Sequence, residues 1–135
     1  MLAARHYFSN ALGSIDYVPD AYVSLHWSGQ PLNSLELRAL YVHARNLLER
    51  ANLSCLLADH RAMSAAPAPA DQEWLLTNWL PATVATTHNM RYAVLPAQEP
   101  SHRLHTAPTV DKLRHYVSVA LFDDLNRATT WLQTA

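Results

Sequence analysis

Short apolar runs alternate with stretches of helical periodicity along this chain, and that alternation constrains its fold more than any other feature. Strands separated by helices pair in parallel through right-handed crossovers, so the pattern points to an α/β sheet with helices packed on it. The opening differs. Segments 13–18 and 22–27 flank Pro19-Asp20, where proline and aspartate favour a turn, and they form an antiparallel hairpin. In the second of them Tyr22, Ser24 and His26 face one way and Val23, Leu25 and Trp27 the other, the latter face being the more apolar. The expected sheet is therefore mixed.

Asn33 with Glu36 three residues on is a reciprocal helix cap, and Leu37, Leu40, Tyr41, Ala44, Leu47, Leu48 and Ala51 recur at helical spacing behind it. Residues 55–58 carry no polar alternation, as suits a strand covered on both faces. An Ala/Pro loop at 65–70 leads to a second helix that begins near Asp71, carries Trp74, Leu75, Asn78 and Trp79, and is kinked or ended by Pro81. Segment 91–95 reads as a strand, Ser101 onward as a helix divided by Pro108, and 117–122 as the last strand. A terminal helix follows, capped by Asp123 or Asp124, with Leu125, Ala128, Trp131 and Leu132 facing the core. The expected fold is one domain, residues 1–135, with a single five-stranded mixed sheet in the order ββαβαβαβα.

Half of the 135 residues are apolar and 16% are charged, enough to build one two-sided core and too little charge to keep the chain disordered. Its ten basic residues are scattered among eleven acidic ones, so no stripe tracks a nucleic acid backbone. Residues 1–8 lack a signal-peptide core, and no window approaches the roughly eighteen apolar residues of a membrane span. Lone Cys55, inside an apolar run, fits a reducing compartment, and the expected location is the cytoplasm.

Gly13 and Gly29 are the only glycines, and neither joins a strand to the helix after it. That excludes phosphate-cradling loops and the strained elbow of α/β hydrolases, which need glycine where backbone turns tightly or meets a ligand. His102, His105 and His115 fall short of a zinc ligand set, so neither metal nor cofactor is expected. Loops beyond the carboxyl ends of strands form the usual crevice of open α/β sheets. Here they carry Asp59, His60, Arg61 and Met63 on one side and Pro96, Ala97 and Gln98 on the other, a candidate ligand site. Asp59 and His60 form a candidate proton-moving pair, weighed against an Asp59 that satisfies loop amides or pairs with Arg61. Trp74 and Trp131 fall on apolar helix stripes, while Trp79, close to Pro81, is expected to be partly exposed at an interface.

The runs Leu57-Ala58-Asp59-His60-Arg61-Ala62-Met63 and Phe122-Asp123-Asp124-Leu125-Asn126-Arg127-Ala128-Thr129-Thr130-Trp131-Leu132 carry a resemblance that extends over the chain. With this order of elements, the chain resembles the SpoIIAA-like branch of the STAS fold, small bacterial proteins, and is similar in fold to SEC14-type lipid-transfer domains. The switch serine or threonine of the anti-sigma factor antagonists, and the glycine after it, have no counterpart in Asp59-His60-Arg61-Ala62. What the resemblance implies is a non-catalytic protein-binding or regulatory module that pairs with a partner or forms a homodimer. Two other readings stand beside it: a small-molecule or lipid-binding domain that holds a small apolar ligand between the loops after strands 55–58 and 91–95, and an enzyme that uses Asp59 and His60.

Overall fold

The computed structural model describes residues 3–97, 112–115 and 117–134. Among them six strands form one sheet in chain order: β1 (Arg5–Asn10), β2 (Gly13–Val18), β3 (Tyr22–Trp27), β4 (Cys55–Asp59), β5 (Arg91–Leu95) and β6 (Ser118–Leu121). The first three pair antiparallel and β3 to β6 pair parallel, so the mixed α/β sheet is present with six strands rather than five. The additional strand is β1. A bulge between His6 and Phe8 breaks its alternation, and both Tyr7 and Phe8 meet the ring of His43. The helix expected from Ser101, with Pro108, His102, His105 and Gln98, lies outside the described residues.

Helix α1 (Ser34–Arg50) begins at Asn33, whose side chain accepts a hydrogen bond from the Glu36 N–H at 2.9 Å. Glu36 does not reciprocate at the backbone. Its carboxylate accepts from the Asn33 side-chain amide and from the Ala11 N–H, each at 3.0 Å, so the cap also fastens the helix to the β1–β2 turn. At the base of that turn Gly13 is required by close approach, because a Cβ there would sit 2.2 Å from the His26 carbonyl oxygen. Next come α2 (Pro69–Trp74), one π-helical turn (Leu75–Trp79) and α3 (Leu80–Thr86). Pro81 neither ends nor breaks this run. It sits in the first turn of α3, after the wide turn in which the Leu80 N–H reaches back to the Leu75 carbonyl, where a missing donor is tolerated.

Strands laid down in chain order by right-handed crossovers send their connecting helices to one face. On that first face Ile15, Leu25, Ala58 and Val94 form a row across the register, and Leu37, Leu40, Tyr41, Ala44, Leu47 and Leu48 of α1, which packs on β1, β2 and β3, join them in one buried core. Each fully buried leucine contributes roughly 1.5–3 kcal/mol relative to exposure. Trp79 belongs to this core. It is 1% exposed, its Nε1–H donates to the Tyr41 carbonyl, and its ring meets Tyr41 and Tyr92 edge-on, so the expected exposure at an interface is corrected. Helical periodicity through the π turn rotates the ring inward. The second face is covered differently: α4 (Leu125–Gln133), capped by Asp124, packs Ala128 and Leu132 on Leu57, Ala93 and Leu95 of β4 and β5.

A buried carboxylate joins α2 to α1. Asp71, 3% exposed, accepts from Ser34 Oγ at 2.8 Å and from Arg38 Nε at 2.9 Å, while Arg38 also lies over the Trp74 ring. Arg38 is partly solvated and recovers water when its partner is removed, so Asp71→Ala is expected to destabilise the chain by about 2 kcal/mol, below the fully buried range. The urea midpoint should fall at unchanged slope. A change within about 0.5 kcal/mol, the range of ordinary surface substitutions, would show that the pair does not hold α2 in place.

Candidate functional site

Strand alternation divides the residues expected to form one site. Asp59 ends β4 on the second face, and Arg61 folds back onto it: Arg61 Nε and backbone N–H donate to Oδ1 at 2.9 and 3.1 Å, and Nη2 donates to Oδ2 at 2.9 Å. Met63 is buried in the first-face core, and the ring of His60 lies 6.0 Å from that of Trp27 in the same core. Gln98 lies outside the described residues. The loops are also tied to each other, since Ser64 Oγ donates to the Gln30 carbonyl and a Cβ on Gly29, at φ +90°, would meet the Ala62 carbonyl oxygen at 3.0 Å. Asp59 and His60 are thus not arranged to share a proton.

What Asp59 meets instead is β3. His26 pairs with Asp59 across the parallel register, and its Nδ1 lies 3.4 Å from Asp59 Oδ2. Its Nε2 lies 3.2 Å from Ser24 Oγ, two residues back on the same face. Ser24 pairs in turn with Asp16, and Asp16 Oδ1 is 3.0 Å from His6 Nδ1. A polar network therefore crosses β1, β2 and β3 and ends at Asp59. In the row of His6, Asp16 and Ser24 the side chains turn apolar at β4 and β5, with Leu57 and Ala93 under α4, whereas the row of His26 stays polar through Asp59 and turns apolar at Leu95.

Electrostatics differ sharply between the neighbours Asp59 and His60. Partial burial alone would raise the Asp59 pKa, but the hydrogen bonds from His26 and Arg61 and the charge of Arg61 outweigh it and hold the carboxyl well below the usual carboxylate range. Asp59 is ionised at neutral pH. Burial pushes the His60 imidazole down to about 4, against the attraction of the Asp59 carboxylate. Its Nε2 is shut away from solvent with no hydrogen-bonding partner among the described residues, as is Trp27 Nε1 beside it. His60 is neutral and half-buried at the edge of the core against Trp27.

The residues that converge were only partly legible beforehand. Alternation alone places Ser24 and His26 on one face, whereas His6, Asp16 and the junction with Asp59 need the register. No group of three or more metal-ligating side chains occurs among the described residues, and no described helix is long and apolar enough to cross a membrane. A shallow open depression lined by Asn126, Arg127, Thr130, Trp131 and Thr134 lies on α4, where Thr134 meets Arg91 at the start of β5, far along the strands from Asp59.

Because the folded chain holds His60 neutral and the unfolded chain protonates it near 6.5, the unfolded state takes up more protons between these values. Its contribution is complete above pH 6.5 and is lost as the pH falls toward 4, by up to about 3 kcal/mol. His60→Phe, which keeps a ring against Trp27, is expected to remove that part of the slope in urea unfolding measured from pH 7 to pH 4.5. Parallel pH profiles for the two chains would show that the imidazole titrates freely.

No family model, curated protein or solved structure matches the chain.

Proposed function

We propose that the chain is a protein-binding or regulatory module of the STAS-like type, and that it docks a partner protein on the polar half of the second sheet face, over β1 to β3. The observation that carries this reading is the unequal cover of that face. Helix α4 packs on β4 and β5, whereas His6, Asp16 and His26 on the other half keep 58%, 27% and 38% of their side chains exposed. Side chains already tied to one another lose little rotamer freedom on docking, which lowers the entropic cost of a complex. The strand alternation from an opening hairpin, the amphipathic α1 and the Asp124-capped closing helix support the STAS-like part of the reading.

Binding through this surface is sensitive to bulk and charge placed on it. Ser14 pairs with both Ser9 and His26, so Ser14→Arg sets a guanidinium on the second face without removing a member of the network. Leu35, 82% exposed in the first turn of α1, supplies a control at a different surface as Leu35→Arg. Tagged chains should capture a discrete protein from a lysate of the source cells, with capture lost in Ser14→Arg and kept in Leu35→Arg. Equal capture by all three, or an inert monomer in sedimentation that captures nothing, would overturn the docking face.

A further inference from the structure

The geometry points to Ser24 as a nucleophile, activated by His26 and oriented through Asp59, that accepts an acyl group from a small activated ester on the second face. This goes beyond docking and departs from the expectation of a non-catalytic chain. Alternation along β3 sets Ser24 and His26 on one face, and the β3–β4 register sets Asp59 beside His26. The two ring nitrogens are thereby divided, with Nδ1 toward the carboxylate at 3.4 Å and Nε2 toward the hydroxyl at 3.2 Å.

Protonation follows from the acceptor. An ionised carboxylate can only accept, so the neutral imidazole carries its proton on Nδ1 and leaves Nε2 as the acceptor for Ser24 O–H. The competing acceptor, the Asp16 carbonyl oxygen, is farther from Ser24 Oγ at 3.4 Å. Asp59 is itself held by Arg61 at both oxygens, so with His26 its acceptor positions are filled and the carboxylate cannot swing away. The order nucleophile, base, orienting carboxylate is that of an activated serine, recognised by roles and geometry rather than by fold.

In the step inferred, Ser24 Oγ forms a bond to the ester carbonyl carbon while its proton passes to His26 Nε2. The ester C–O bond breaks, the leaving alcohol takes that proton, and water later hydrolyses the acyl-serine. Ser24 is 5% exposed, so only a small acyl group reaches it. Backbone amides of β3 are engaged in ladders with β2 and β4 and do not converge on an oxyanion, and the loss of such donors costs about 10²- to 10³-fold in rate. The chemistry fits acylation by an activated ester followed by slow release.

The test uses the full chain with p-nitrophenyl acetate. A burst of nitrophenolate is expected, with acetyl mapped by peptide mass to Ser24. His26→Ala should slow acetylation of Ser24 by about 10²-fold or more, the usual weight of a positioned base. Asp59→Asn should slow it by at least about tenfold, with folding of both variants checked by thermal melting. Acetyl found only on other residues, or labelling of Ser24 at the same rate in His26→Ala, would overturn the inference while leaving the docking reading intact.

Discussion

The parallel pairing of β3 with β4 joins the antiparallel half of the sheet to the parallel half, and the character of both faces depends on its register. Val23 lies beside Leu56, Leu25 beside Ala58, and His26 beside Asp59. A slip of one residue would turn every side chain of β4 over, sending Leu57 into the first-face core and Leu56 under α4, and it would take Asp59 away from His26. Since both faces of β4 are buried, in the first-face core on one side and under α4 on the other, such a slip exposes or misplaces several leucines at once. Hydrophobic burial therefore fixes the position of a polar contact to which it contributes nothing directly.

Asp59 and His60 show how one peptide step separates two kinds of chemistry. The carboxylate stays charged because Arg61 and His26 supply donors to both of its oxygens, which compensates for the water it gives up. The imidazole next to it packs against Trp27, its Nε2 finds no partner among the described residues, and burial drives off its proton instead. Any scheme that treats the two as an acid-base couple fails on direction before it fails on acidity.

Much of the architecture was legible because the signals were local. The hairpin at 13–27, the Asn33 cap, strand β5 and the Asp124-capped helix each follow from a periodicity or a capping residue within a few positions. Strand β1 was hidden by a bulge that puts Tyr7 and Phe8 out of alternation. Pro81 suggests a helix end near Trp79, whereas a π turn carries the helix past the proline and turns the indole toward Tyr41. At the candidate site the residues of β3 were legible as a face, but their junction with Asp59 was not. It joins residues 33 positions apart through a parallel register that no short-range pattern encodes.

The half-covered second face is a consequence of this topology. Crossovers of one hand commit α1, α2 and α3 to the first face, and among the described helices only α4, nine residues long, is left for the second. Such a helix spans about 13 Å at 1.5 Å per residue, and its contacts fall on β4 and β5. The strands beyond its reach must carry side chains compatible with water, and a scatter of serines, threonines and lysines would meet that demand. Solvation does not require a histidine whose two nitrogens are divided between a hydroxyl and a fixed carboxylate. That division, rather than polarity itself, distinguishes the β3–β4 junction from an ordinary wet sheet face.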